Sequence, residues 1–201
     1  MSTVKLYTES ELGSPSIKEI LRYAKAKESN DLVAHVENAA NELSGKLTPR
    51  VCYAQTPIKI TGSLVDLGFC KVESKDLAKN LEGCESAIVF AATVGMSVDV
   101  LCVKYARISP FRALLIQATG TERIEALCDL FEKEIKEELK TNGKTTRPRF
   151  SPGYGDLPLL LQKDIFPFLS PEKIGIRLGE SLLMTPTKSV TAIIGIKDEI
   201  K

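Results

Sequence analysis

The sequence predicts an α+β fold, and three observations carry that prediction. Residues 87–92 (Ala-Ile-Val-Phe-Ala-Ala) are apolar on both alternating faces, the pattern of a central strand covered on each side. Val190, Ala192, Ile194 and Ile196 recur at period two, which predicts a second strand in the same sheet. Helical patterns stand before, between and after the extended ones, without the regular βαβ spacing of a doubly wound sheet.

The elements follow in order. Ser16-Ile17-Lys18-Glu19 has the form of a capping box, and Ile17, Ile20, Leu21 and Ala24 continue at helical spacing. A second helix is predicted from Asn30, with Leu32, Val36, Ala40 and Leu43 on one face and Gly45 beyond its end. Residues 1–48 are thus expected to form a helical N-terminal segment of one unit spanning 1–201, which Pro49 closes. Short extended pieces come next, at Val51 and Tyr53, Ile58 and Ile60, and Leu67 and Phe69, punctuated by Pro57, Gly62 and Gly68. Ser74 caps a helix carrying Leu77, Ala78 and Leu81, which Gly83 ends. After the apolar strand, Ser97 starts a helix through Tyr105, and Ser109-Pro110 opens another stretch. A separate helix is predicted from the apparent capping box at 119–122, with Ile124, Leu127, Cys128, Phe131, Ile135 and Leu139 as its apolar stripe. Its other face, 132–140, alternates in charge and reads as solvated. Asp156-Leu157-Pro158 and Ser170-Pro171 each begin a further helix, and Ile176 and Leu178 lie in extended chain.

Composition excludes several function classes. A net charge of +1 gives no electrostatic reason to bind nucleic acid or an anionic membrane. No apolar run approaches the roughly 20 residues of a membrane span, and residues 1–5 lack a signal-peptide layout, so a cytoplasmic location is expected. The five cysteines are widely spaced with no Cys-x-x-Cys, which argues against a disulfide framework or a zinc site. Cys52, Cys84 and Cys128 have apolar neighbours and read as buried free thiols. His35 is the sole histidine and falls in a helical stretch, where it reads as solvated. Gly143-Lys144-Thr145 lacks the earlier glycine of a phosphate loop, because Glu138 occupies that position. No dinucleotide fingerprint is present, and Gly95-Met96-Ser97-Val98-Asp99 lacks the last glycine of a nucleophile elbow. No side chain is therefore assigned a catalytic or metal-binding role.

One segment is dense in special residues: Arg147-Pro148-Arg149-Phe150-Ser151-Pro152-Gly153-Tyr154-Gly155-Asp156. Pro152-Gly153 fixes a turn whose backbone a ligand can approach closely. Arg149 has the planar fork that suits a carboxylate, and Tyr154 offers a ring face and a hydroxyl. By residue type alone, a structural turn beside a surface arginine explains the segment better than a binding site does.

Arg149-x-x-Pro152-Gly153-Tyr154 is similar to the Arg-x-x-x-Gly-Tyr signature of the activation (reactivation) domain of cobalamin-dependent methionine synthase. Ile174-Gly175-Ile176-Arg177-Leu178-Gly179-Glu180-Ser181, Met184-x-Pro186 and Ser189-Val190-Thr191 resemble the family's downstream segment. Ile124-Glu125-Ala126-Leu127 resembles its helix with an inward glutamate, and residues 149–156 followed by Gln162 look most like its short, separate members. The resemblance implies a mixed, largely antiparallel twisted sheet with helices packed around it. It also implies S-adenosylmethionine as ligand. Arg149 would meet the methionyl carboxylate, Ser151, Pro152 and Gly153 would form the turn against the adenine, and Tyr154 would lie close by. Glu125, on the flank of the apolar stripe, would face the ammonium or sulfonium, and an exposed salt-bridging glutamate is an equal reading of that position. The implied work is reductive methylation of cob(II)alamin carried by a partner, a cobalamin-dependent methionine synthase or related corrinoid protein. A flavodoxin- or ferredoxin-like donor would supply the electron, and the chain would be an accessory rather than catalytic alone. The position one turn before Glu125, acidic in the family, is Thr121 here. That departure keeps an alternative open, a corrinoid-capping module that no longer binds S-adenosylmethionine.

Overall fold

A computed structural model describes residues 2–198. The apolar run lies in strand β6 (Ser86–Thr93), at the centre of a five-stranded sheet. Strand β2 (Arg50–Pro57) flanks it on one side and β10 (Ser189–Asp198) on the other, with β1 (Thr3–Leu6) and β7 (Lys144–Thr146) at the edges. The predicted partnership of the two apolar strands holds from Ser189 opposite Thr93 to Ile196 opposite Ser86. Every pairing in the sheet is antiparallel.

Both faces of β6 are apolar because each meets its own core. Ile88, Phe90 and Ala92, with Ala192, Ile194 and Ile196 of β10, pack against α1 (Ile17–Tyr23), α2 (Asn30–Leu43), α4 (Ser97–Tyr105) and α5 (Pro110–Lys140). Ala87, Val89 and Ala91, with Ile193, face α3 (Lys75–Asn80), α6 (Gln162–Leu169) and Val65 and Val72 of a small sheet. That sheet comprises β3 (Lys59–Thr61), β4 (Leu64–Asp66) and β5 (Lys71–Glu73). A two-stranded ribbon, β8 (Arg177–Leu178) with β9 (Met184–Thr185), precedes β10. Among the described residues no helix is long and apolar enough to cross a membrane.

Several local expectations change. Residues 1–48 are not wholly helical: they open with β1, a mostly exposed edge strand too short to show a clear alternation. Ser16 caps α1, but the reciprocal contact of a capping box comes from α5, where Glu122 accepts from the Ser16 amide at 3.1 Å. The two helices expected around 110–139 are one helix of 31 residues, α5, with Ser109 as N-cap and Pro110 in its first turn. Thr119 lies inside it and turns its hydroxyl back to the Leu115 carbonyl at 2.8 Å. Leu67 and Phe69 form a turn rather than a strand, closed by Asp66 accepting from the Gly68 amide. The helix expected at Asp156-Leu157-Pro158 begins later, through a 3-10 turn at Leu159–Leu161 that leads into α6. Cys52 and Cys128 are buried thiols, whereas Cys84 is half-buried. His35 is solvated, with its ring edge-on to Phe111.

Candidate functional site

The signature segment runs along the free edge of β10 and then leaves it. Arg147 donates to the Gly195 carbonyl, and Phe150 and Ile193 exchange both backbone hydrogen bonds at 2.9 Å. Pro152 lacks a donor, and Gly153 turns the chain away at φ +91°. The gap that opens is a cavity of about 520 Å³. Arg149, Ser151, Pro152, Tyr154 and Glu125, all predicted from sequence, line it together. Gly153 shapes the turn behind them, where its amide donates to the Leu157 carbonyl.

The loop is fastened from outside. Asp156 accepts from the Ser74 hydroxyl and from the Lys75 amide at 2.8 Å, so it caps α3 from across the chain. The Ser74 hydroxyl and then the backbone amides hold the Asp156 carboxyl below its usual value. Gly155, at φ +54°, passes so close that a Cβ would stand 2.3 Å from Asp76 Oδ2.

Arg149 is the most engaged side chain of the site. Its guanidinium donates to Glu125 at 2.7 Å, Asp129 at 2.7 Å and Glu132 at 2.6 Å. These acids stand at i, i+4 and i+7 along α5, which places them on one stripe. Burial opposes the charge on Arg149, but the hydrogen bonds to Glu132 and Asp129 outweigh it and raise its pKa. Burial also raises the Glu132 carboxyl, against the pull of Arg149. Three of the five guanidinium N–H groups are spent within the chain. With all three acids ionised the cluster is net anionic, so this wall attracts a cation.

Around it stand residues that the sequence did not mark as site residues: Met184, Ser189, Val190, Thr191 and Gln162. Asp129 and Glu132 were also missed, although their spacing from Glu125 is a readable signal. Gln162 is 4% exposed, whereas Tyr154 stands 70% exposed at the mouth. One turn of α5 from Glu125, Lys188 is buried and donates to Thr121 at 2.8 Å, with burial pushing its ammonium pKa down. A second cavity, about 790 Å³, lies between the N-terminal helices and α5 beside Arg123 and Thr119, and holds none of the predicted site residues.

Three comparisons bear on this arrangement. Residues 72–201 match the family model described as vitamin B12 dependent methionine synthase, activation domain. The methionine synthase of Mycobacterium leprae (strain TN) is 25% identical over 143 residues, which cover 61% of this chain. The chain spans only 12% of that relative's length. A solved structure described as the MetH reactivation domain bound to AdoHcy superposes with a TM-score of 0.75 at 15% identity. The match covers 100% of this chain and 80% of that one, and it shows a shared fold. With the family model spanning well over half of its residues, this chain belongs to the vitamin B12 dependent methionine synthase activation domain family.

Proposed function

We propose that this chain binds S-adenosylmethionine in the Arg149–Tyr154 cavity and supports reductive methylation of a cobalamin held by a separate partner. The partner is a cobalamin-dependent methionine synthase or related corrinoid protein, met in the cytoplasm. The observation that carries the reading is the convergence of the signature residues and Glu125 on one cavity with an anionic wall. A sulfonium is a fixed cation, and the carboxylates around Arg149 favour it electrostatically. The Pro152-Gly153 turn and the Tyr154 ring give flat surfaces for a nucleoside. That the related reactivation domain is described with AdoHcy, the demethylated product, supports the same ligand class.

A partner's cob(II)alamin would supply the methyl acceptor: with one electron from a flavodoxin- or ferredoxin-like donor it would take the methyl group of the sulfonium, and the thioether would remain. The chain's own part is to bind and orient the methyl donor. Tyr154, 70% exposed, leaves its ring surface at the mouth for a partner to cover.

One observation favours a second reading, a capping module without a nucleoside ligand: Arg149 is already held by three acids. Isothermal titration with S-adenosylmethionine, alone and with the cobalamin-loaded partner, separates the two. Saturable binding in either condition supports the first reading. Absence of heat in both, confirmed by equilibrium dialysis, leaves the capping module.

A further inference from the structure

Glu125 and Arg149 line the cavity, and Arg149 also holds Asp129 at 2.7 Å and Glu132 at 2.6 Å. Three carboxylates share one guanidinium, which leaves two negative charges over when all are ionised. Among the described residues no other cation pairs with these acids. One carboxylate would neutralise the arginine, and each further one repels its neighbours. The surplus charge is offset only by an occupant that brings a positive charge of its own.

We propose that Asp129 and Glu132 are specificity-determining residues that make the cavity hold S-adenosylmethionine more tightly than S-adenosylhomocysteine. The two ligands share adenosine, ammonium and carboxylate, and differ by one methyl group and one positive charge. When the methyl group leaves, the electron pair of the C–S bond stays on sulfur, which becomes neutral. The uncharged contacts survive that step, whereas the attraction to the surplus carboxylates does not. Methyl transfer thus loosens its own product. At the span of one cavity wall, with a dielectric response between protein and water, each surplus charge is worth roughly three- to tenfold in affinity. Asp129 is 69% exposed at its side chain and feels salt, whereas Glu132 is mostly buried and feels it less. Lys188, on Thr121 one turn earlier in α5, offsets part of the field and stays constant in the comparison below.

This inference rests on the nucleoside reading above, and the experiment keeps the two apart. Titration calorimetry compares S-adenosylmethionine, S-adenosylhomocysteine and sinefungin on the wild type, on Asp129→Asn and on Glu132→Gln. Sinefungin carries an amine cation where the methylated sulfur stands. At low ionic strength, about 0.01 M, the wild type should favour both cationic ligands over the thioether by roughly tenfold or more. The preference should narrow in about 1 M salt. Each amide variant keeps an acceptor for Arg149, so it should lose roughly three- to tenfold for the two cations and hold the thioether within about twofold. Should one variant not fold, the other carries the comparison. Equal wild-type affinity for the methylated and demethylated ligands overturns the proposal while leaving the ligand class intact. So do variants that weaken all three ligands alike, which marks a structural role, and so does a preference that sinefungin does not share. A wild type that binds none of the three, alone or with the cobalamin-loaded partner, overturns the nucleoside reading and this inference with it.

Discussion

Arg149 gathers Glu125, Asp129 and Glu132 of α5 on one guanidinium, so its loss would be felt by the cavity wall as well as by the ligand. Of these only Glu132 falls in the stretch that reads from sequence as a solvated charged face, and Asp129 carries no mark, since spacing shows which side chains share a stripe and not what packs over it. Arg149→Ala would remove the two guanidinium N–H groups that the acids leave for the methionyl carboxylate, and would leave Glu125, Asp129 and Glu132 to repel one another. Such a loss at a charged hydrogen-bonding group is worth about 1.5–3 kcal/mol, so S-adenosylmethionine affinity should fall roughly ten- to a hundredfold. Arg149→Lys should recover part of this, because a point charge cannot span three carboxylates as the planar fork does. An alanine variant titrating within twofold of wild type would remove Arg149 from the site. Tyr154 is largely exposed and its hydroxyl has no partner among the described residues, so Tyr154→Phe should bind almost as well as wild type in the same titration.

Helix α5 shows where local signals mislead. Thr119 and Glu122 have the spacing of a capping box, which predicts a helix start between them. Tertiary contacts overrule it. Glu122 receives the Ser16 amide of the α1 cap and pairs with buried Arg123, whose guanidinium also donates to the Gly13 carbonyl at 2.7 Å. Gly120 is there for close approach: a Cβ would stand 2.7 Å from both Val98 methyls of α4 and 3.1 Å from Lys188 Cγ. Alanine at this position gains about 1 kcal/mol of helix propensity but forces α4 outward, an overpacking cost of about 1–3 kcal/mol. Gly120→Ala should therefore lower the urea midpoint modestly; a midpoint above wild type would show that α4 gives way freely. The fastening of the loop to α3 makes a parallel prediction. Asp156→Ala should weaken ligand binding without unfolding the protein, a contrast read by titration and far-ultraviolet circular dichroism on the same sample. Invisible in the sequence was that Asp156 caps a helix 80 residues away.

The central pair of strands was the most legible feature of the whole molecule. A strand covered on both faces must be apolar on both, and that leaves a mark no surface element imitates. The order of the edges and the all-antiparallel pairing left no such mark, because pairing depends on partners far along the chain. The two cores also bury thiols. Burial lifts Cys52, beneath the centre of the sheet, from 9.0 to about 11. A thiol raised on folding contributes stability that is intact below its unfolded value and is lost as pH climbs toward its folded one. Between about pH 9 and 11 the protein should lose on the order of 1–3 kcal/mol from this group. Urea titrations across that range, run on wild type and Cys52→Ala, check it: the alkaline decline should be shallower in the variant, and parallel curves would refute it. Lys188, shifted down by burial, acts in the opposite sense in both proteins and cancels from the comparison.

The departure of the chain from the sheet after Phe150 has an observable consequence. Backbone groups of Ile193 are spent on Phe150, and by the period of two those of Thr191 point the same way, toward a neighbour that has gone. The ladder is missing its next rung, and the cavity stands in its place. In the empty protein the Thr191 amide should therefore trade its proton for solvent deuterium far sooner than the Ile193 amide, although the two are one rung apart on the same strand. Any occupant that lies against this edge slows that exchange, so the ratio of the two rates reports whether the cavity is filled before the identity of its contents is known.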